Sequence, residues 1–220
     1  MIRAVIFDLD GTLADTISAI REGINLTMQK HGFAEHTDDE VRGFINNGAR
    51  ELVRRAIPIS LQNNEDVLTQ IYNDYNAYYG TTYLHTDTTY AGIPEVITAL
   101  SKKGLKIAVL SNKQDPYVKE LCRQLLPEGS YDAAQGVIIG KPTKPHPYLS
   151  ELVAAELGVN TAECVMVGDS DVDVKTAHAA GMAHVGVSWG YRSSEFLREN
   201  GAKQIADSPA ELLKIIETML

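Results

Sequence analysis

The sequence is short of cysteines and basic residues, and it has no long apolar run. Its two cysteines, Cys122 and Cys164, are too few for a disulfide framework and lack the spacing of a zinc site. Lysine and arginine total 20 against 29 acidic residues, a net charge of −9, which argues against coating a nucleic-acid backbone. This balance leaves open a local basic pocket for a small anion.

Membrane and export signals are also missing from the sequence. The first apolar stretch meets a charge at Asp8, too early for a signal peptide. No apolar run approaches the ~20 residues that a membrane-spanning helix needs. We therefore expect a cytoplasmic protein, a monomer or homodimer, whose partners include neither nucleic acid nor a membrane.

Short apolar runs alternate with amphipathic helical patterns along most of the chain. The runs cover residues 4–7, 107–110, 137–139, 165–167 and 185–187. Continuous apolar runs are typical of strands buried on both faces, and alternation with helices is typical of crossovers in a parallel sheet. The sequence therefore predicts an α/β fold with a Rossmann-like parallel sheet.

Residues 16–83 break this rhythm, because only helical periodicity is found there. It covers 17–30, 38–44, 48–56 and 65–79. A stretch of this length between the first two strands is too long for a loop. We predict a sheet core formed by residues 1–15 and 84–220 and an inserted all-helical domain formed by residues 16–83.

The first predicted strand is followed by Asp8-Leu9-Asp10-Gly11-Thr12. Ligands of a doubly wound sheet collect at the carboxyl ends of its strands. Two carboxylates placed there can act as a nucleophile and as a proton donor or acceptor. An ordinary Asp- and Gly-rich turn is the alternative, and it loses weight because other strand ends also carry functional groups.

Three further segments follow strands in the same way. Ser111 and Asn112 precede a helix start and offer a phosphate site; alone, such a pair is often a turn. Lys144 lies in a proline-rich loop, 140–147, that would hold it as an anion partner rather than as a solvated lysine. The acidic residues of 168–173 offer oxygen ligands that suit Mg²⁺ better than zinc, with a helix cap as the alternative.

These segments, in this order, resemble the four motifs of the haloacid dehalogenase superfamily. The resemblance covers nearly the whole chain. The helical insert is similar to the cap of the phosphoglycolate phosphatase-like branch. Similar to that branch are also Tyr90-x-Gly92-x-x-Glu95, Ser111-Asn112-Lys113 and the stretch Val187-Ser-Trp189-Gly-Tyr191-Arg192.

The resemblance implies a chemical role for the first motif. Asp8 would attack phosphorus and form an aspartyl phosphate. Asp10 would protonate the leaving oxygen and then accept a proton from the hydrolytic water, which requires a pKa above the usual ~3.9 of an aspartate. Thr12 would support the geometry of the intermediate.

The resemblance also implies a metal site and a phosphate site. Mg²⁺ would be held by the Asp8 carboxylate, the Asp10 main-chain carbonyl and Asp169, with Asp173 as an outer ligand or orienting group. The phosphoryl oxygens would be held by Gly11, Ser111, the Asn112 backbone and Lys144. Lys141 also precedes a proline, but only Lys144 has the further proline at the family's spacing.

The implied activity is Mg²⁺-dependent hydrolysis of a small phosphorylated metabolite, with phosphoglycolate as the first candidate. A sugar-phosphate mutase of the β-phosphoglucomutase type is an alternative; Thr12 favours a phosphatase, since many such mutases resemble it with a valine there. A phosphate-binding module without catalysis is a remote alternative, because both acids of the first motif are present.

Recognition of the substrate's carboxylate is predicted in the helical insert. The segment 46–50 looks like a loop that opens a helix, and its Arg50 could bind a carboxylate through two hydrogen bonds. The alternative places Arg50 on a solvated helix face.

Overall fold

The computed structural model describes residues 1–86 and 88–220. It divides into two compact units. The sheet unit comprises Met1–Asp15 and Thr88–Leu220, and the helical unit comprises Thr16–Asp87, described as far as residue 86. Among the described residues, no helix has the length and apolar character needed to cross a membrane.

The helical unit follows the first strand, β1 (Ala4–Phe7), and its described residues form four α-helices and two short 3-10 helices. The α-helices are α1 (Ile17–His31), α2 (Asp38–Phe44), α3 (Ala49–Ala56) and α4 (Glu65–Thr82); the 3-10 helices are Ile59–Leu61 and Tyr83–His85. The long helices α1 and α4 approach closely at Gly23, where an added Cβ would lie 3.2 Å from the Tyr79 Cα. A buried hydrogen bond, 3.0 Å from the Thr82 hydroxyl to the Ala19 carbonyl, joins the same two helices.

The remaining elements belong to the sheet unit and alternate along the chain. They are α5 (Ile93–Lys102), β2 (Lys106–Gln114), α6 (Asp115–Leu125), β3 (Ala133–Val137), α7 (Tyr148–Glu156), a 3-10 helix (Thr161–Glu163), β4 (Cys164–Gly168), α8 (Asp171–Ala180), β5 (Ala183–Val187), α9 (Ser194–Glu199), β6 (Ile205–Ala206) and α10 (Pro209–Glu217).

The six strands form one sheet in the order β3-β2-β1-β4-β5-β6, and every neighbouring pair is parallel. Strand β1 lies in the middle and is completely buried, which explains its unbroken apolar sequence. The carboxyl ends of β2, β1 and β4 are therefore neighbours at one edge. The predicted fold class, a Rossmann-like parallel sheet with an inserted all-helical cap domain, is confirmed.

The third strand differs from its prediction. Of the apolar run 137–139 only Val137 belongs to a strand, because β3 is Ala133–Val137, and Ile139 is 98% exposed. Strand β3 lies at the sheet edge, and its residue Gly136 packs so closely that a Cβ there would lie 2.5 Å from the Asp115 Cα. Small residues at an edge give a weak apolar signal, which is why the prediction was wrong. The two-residue β6 was not predicted.

Candidate active site

The loop after β1 turns back tightly at the carboxyl end of the strand, where Asp8 and Asp10 stand. The Leu9 carbonyl accepts hydrogen bonds from the backbone N–H groups of residues 12, 13 and 14. Gly11 has a φ of +80°, and a Cβ there would lie 2.4 Å from Asp169 Oδ2. Glycine is therefore required at this position both for its conformation and for space.

Lys144 connects two of the predicted site carboxylates. Its Nζ lies 2.9 Å from Asp8 Oδ1 and 2.7 Å from Asp173 Oδ1, and all three side chains are nearly inaccessible to solvent. Lys141, the other lysine before a proline, is exposed and lies over the Tyr148 ring. The structure thus brings Lys144, and not Lys141, to the carboxylates.

The backbone of Lys144 is fixed by Asn112, at the end of β2. The Asn112 side-chain amide donates to the Lys144 carbonyl at 2.8 Å, and its oxygen accepts from the Lys144 N–H at 2.9 Å. Sequence reasoning gave Asn112 only a backbone contact with phosphate, so this side-chain role was missed. The neighbouring Ser111 is buried, and its hydroxyl accepts a hydrogen bond from the Lys113 N–H at 3.2 Å.

Asp169 directly follows β4, and Asp173 lies in the first turn of α8. Ser170 caps α8, and its hydroxyl donates to Asp173 Oδ2 at 2.6 Å. The buried Asp169 accepts from the Thr12 hydroxyl at 3.3 Å through Oδ1 and from the Tyr191 N–H at 2.7 Å through Oδ2. Both carboxylates are therefore held in fixed orientations.

The segment after β5 locks this arrangement, a contribution that sequence reasoning did not assign. The Trp189 indole N–H donates to the Thr12 carbonyl at 3.1 Å. A Cβ on Gly190 would lie 2.3 Å from both the Gly11 carbonyl oxygen and the Asp169 Cβ. The available signal was the stretch 187–192, which resembles the family branch without indicating a contact.

Asp8, Asp169 and Asp173 are buried, and each offers a carboxylate oxygen within 4.8 Å of the others. Burial raises the pKa of Asp8 to about 7, with the charges of Asp173 and Asp10 adding to the effect and Lys144 opposing it. Burial also raises the pKa of Asp169 well above its usual range, reinforced by Asp173 and Asp8. Burial disfavours the charge on Lys144, but Asp173 and Asp8 outweigh it and raise the lysine's pKa.

This charge distribution fits a divalent cation. Three carboxylates lie together, and the Lys144 ammonium group contacts two of them, so the formal charge of the cluster is negative by two. Hard oxygen donors are the ligands that Mg²⁺ and similar ions prefer. Bringing buried carboxylates together raises their proton affinity because they repel one another, and a bound cation offsets that repulsion.

A second buried lysine, Lys113, follows Asn112 directly. Its Nζ lies 3.0 Å from Asp10 Oδ1, and its side chain is 6% exposed. Sequence reasoning noted Lys113 only as part of the segment similar to the family branch and gave it no role. A lysine is most often solvated, so the only sequence feature that could have indicated a role for Lys113 in the site is its position near the end of a predicted strand.

Arg50 lies in the helical unit, in the first turn of α3. Its Nη2 lies 2.8 Å from Glu65 Oε2 and 2.9 Å from the Thr69 hydroxyl. The guanidinium is thus engaged by an acid of its own unit, while 40% of the side chain is exposed. Its predicted role in binding a substrate carboxylate stays a prediction.

Residues 5–187 match the family model of the haloacid dehalogenase-like hydrolases. Phosphoglycolate phosphatase from Yersinia pseudotuberculosis is 30% identical over 98% of this chain and 93% of its own length. The enzyme of the same name from Haemophilus influenzae is 28% identical over 96% of both chains. A solved structure from Lactobacillus delbrueckii subsp. bulgaricus, assigned as a phosphoglycolate phosphatase, has a TM-score of 0.90 at 30% identity and covers 97% of this chain and 98% of its own.

The chain therefore belongs to the haloacid dehalogenase-like hydrolases. Within that superfamily it is phosphoglycolate phosphatase-like, as its sequence motifs predicted. These relatives support a phosphatase and confirm the predicted enzyme class.

Proposed function

We propose that this protein is a Mg²⁺-dependent phosphomonoester hydrolase that acts through an aspartyl-phosphate intermediate. The observation that carries the proposal is the Lys144 ammonium group between Asp8 and Asp173, next to the buried Asp169. A nucleophilic carboxylate beside a cation and a divalent-metal site is what attack on an anionic phosphate requires.

The first half of the reaction uses Asp8 and Asp10. An Asp8 carboxylate oxygen forms a bond to phosphorus while the bond from phosphorus to the alcohol oxygen breaks, and Asp10 gives its proton to that oxygen. In the second half, water attacks the phosphorus and gives a proton to Asp10. The bond between phosphorus and the Asp8 oxygen breaks, which frees Asp8 and gives inorganic phosphate as the product.

The nucleophilic carboxylate and the phosphate are both anionic, so their repulsion has to be offset by positive charge. Asp8, Asp169 and the Asp10 main-chain carbonyl would hold Mg²⁺, which would supply positive charge for the phosphoryl oxygens. Asp173 has one oxygen contacted by Lys144 and the other by Ser170, so we assign it an orienting role.

The transferring phosphoryl group would be held by residues at two strand ends. Lys144 supplies positive charge, Ser111 a hydroxyl and Asn112 a backbone N–H group. The N–H of Gly11 already donates to the Ala14 carbonyl at 2.9 Å, so we assign Gly11 the role of letting the loop approach the phosphoryl group closely. Thr12, whose hydroxyl contacts Asp169, supports the geometry of the metal side. Arg50 stays a candidate partner for a substrate carboxylate, although Glu65 already engages its guanidinium group.

The substrate proposed first is phosphoglycolate, which is supported by the names of the relatives at 28% and 30% identity. In the fold neighbour CbbY from Rhodobacter sphaeroides, 25% identical with a TM-score of 0.75, a structure contains phosphate. None of these observations favours the mutase or the non-catalytic module over a phosphatase.

The test is a panel of phosphorylated metabolites, assayed for released phosphate with Mg²⁺ and with EDTA. We expect turnover of phosphoglycolate with Mg²⁺ and its loss in EDTA. Asp8→Asn, which is isosteric, should fold normally and have less than a few per cent of the wild-type kcat. Full activity in EDTA, or a rearranged sugar phosphate without released phosphate, would refute the proposal.

A cytoplasmic location and a monomeric or homodimeric state complete the proposal. Cys122 and Cys164 are both buried free thiols, and burial raises their pKa values to about 12 and about 11. Neither is poised for redox chemistry, which agrees with a reducing compartment. Light scattering of the purified protein would settle its assembly.

A further inference from the structure

Lys113 and Lys144 contact different members of the catalytic pair. Lys144 contacts Asp8, the proposed nucleophile, whereas Lys113 contacts Asp10, the proposed proton donor, at 3.0 Å. Asp10 acts on the alcohol oxygen that leaves phosphorus. Lys113 is therefore next to the alcohol part of the substrate rather than the phosphoryl part.

Burying an ammonium group is unfavourable unless anions compensate it. The Lys113 side chain is 6% exposed, while that of Asp10 is 18% exposed, so solvent reaches the acid more easily than the lysine. A buried ammonium group beside the proton donor therefore attracts an anion in the alcohol part of the substrate more strongly than a solvated lysine would.

Phosphoglycolate can supply that anion. Its carboxylate is separated from the leaving oxygen by one methylene group, so a carboxylate oxygen lies roughly 3 Å from the leaving oxygen. A proton donor approaches the leaving oxygen to roughly 2.7 Å. The Lys113 ammonium group, 3.0 Å from the donor's carboxylate, and the substrate's carboxylate thus both lie next to the atoms between which the proton moves, which is what a direct contact between them requires.

We infer that Lys113 binds the carboxylate of the substrate's alcohol part and so selects phosphomonoesters of short hydroxy acids. This inference rests on the proposed phosphatase function and deepens it. It assigns carboxylate recognition to the sheet unit, which holds the other site residues, whereas Arg50 is engaged by Glu65 in the helical unit.

The experiment compares phosphoglycolate with 2-hydroxyethyl phosphate, which has the same chain length and a hydroxyl in place of the carboxylate. Lys113→Met should lower kcat/KM for phosphoglycolate about tenfold or more beyond any loss on 2-hydroxyethyl phosphate. Lys113→Arg keeps the charge and should keep most of the preference. Lys113→Gln is measured alongside, so that either neutral variant that folds decides the question.

The matched control is Lys106→Met on the same strand. Lys106 also forms a lysine–aspartate pair, 2.7 Å from Asp132, but it is exposed at the other end of β2. This variant should leave the substrate preference unchanged. Arg50→Ala serves as the comparator for the other candidate cation.

The outcomes separate the inference from the proposed function. Equal losses on both substrates in the neutral Lys113 variants would mean that the lysine only orients Asp10, and the inference would fail while the phosphatase stands. A selective loss in Arg50→Ala with none at Lys113 would also overturn it. If the wild type hydrolyses neither substrate, the proposed phosphoglycolate activity itself fails.

Discussion

The Lys144 ammonium group lies 2.9 Å from Asp8, and the backbone of the same lysine is held on both sides by the Asn112 side chain. The end of β2 therefore determines where the cation meets the carboxylate at the end of β1. The prolines around Lys144 restrict its backbone, but they alone would not fix the position of Lys144 relative to Asp8. The three motifs consequently act as one unit, and their energetic contributions are not expected to add.

The first prediction tests this coupling between Asn112 and Lys144. Asn112→Ala removes two hydrogen bonds to the Lys144 backbone, and we expect kcat to fall by about tenfold or more. Lys144→Met should cause a larger loss. In the double variant the losses should be far from additive, because Asn112 acts through Lys144.

The measurement is a double-mutant cycle in kcat and KM under saturating Mg²⁺. Asn160→Ala is a suitable control, since Asn160 is an asparagine at the start of a 3-10 helix whose hydrogen-bond partner is Glu163. Fully additive losses would show that Asn112 contributes independently of the lysine.

The second prediction concerns Asp10 as the proton donor. Asp10→Asn should lower the rate by about 10² to 10⁴ for phosphoglycolate, whose alkoxide leaving group needs a proton. The loss should be much smaller for p-nitrophenyl phosphate, because its phenolate leaves without protonation. Steady-state kcat for both esters checks this, and equal losses would remove Asp10 from the acid role.

The third prediction concerns Gly190 and the metal site. A Cβ at this position would lie 2.3 Å from the Asp169 Cβ and from the Gly11 carbonyl oxygen, so Gly190→Ala must displace one of them. We expect affinity for Mn²⁺, measured by titration calorimetry without substrate, to fall by about tenfold or more, as is typical when groups that orient the metal ligands are displaced.

Gly43→Ala provides a comparison away from the metal site, because a Cβ on this exposed glycine of α2 would have no atom within 4 Å. It should bind Mn²⁺ as the wild type does. Asp169→Ala should abolish Mn²⁺ binding and so defines the lower limit of the measured affinity. Wild-type affinity in a folded Gly190→Ala protein would show that the loop does not position Asp169.

Sequence reasoning predicted the fold and named several residues that the structure brings together, because both depend on strong local patterns. The buried strands gave unbroken apolar runs, and Asp8, Asp169 and Lys144 stand directly after strands or between prolines. The edge strand β3 escaped because its sequence, AAQGV, consists largely of small residues. Close packing at Gly136 leaves no room for a side chain, so this strand lacks the run of large apolar residues by which a buried strand is recognised.

The contacts between motifs could not be predicted in the same way. The bond from Asn112 to Lys144 joins residues 32 positions apart, and that from Tyr191 to Asp169 joins residues 22 positions apart. Neither pair has a distinctive sequence spacing. Lys113 is one lysine among many, and only the parallel register of β1 and β2 brings it to Asp10.

The last prediction concerns stability against pH in the absence of metal. The pKa of Asp8 rises from 3.8 to about 7, chiefly through burial, and that of Asp169 rises as well. A carboxyl with a raised pKa in the folded state stabilises the fold while it is protonated. Its contribution is fully present below 3.8 and is lost as pH rises through about 7.

Replacing Asp8 by asparagine removes this buried charge. In EDTA at about pH 8, Asp8→Asn should therefore melt at a higher temperature than the wild type, and the difference should shrink as the pH falls towards about 4. The exposed Asp39, paired with Arg42, provides Asp39→Asn as a control that should show no such pH dependence. Saturating Mg²⁺ at about pH 8 should reverse the order, since the wild type then gains metal-binding energy that the variant largely lacks. Calorimetric or fluorescence melting of both proteins from about pH 4 to pH 8 tests all of this, and a wild type that is more stable than Asp8→Asn in EDTA at about pH 8 would contradict it.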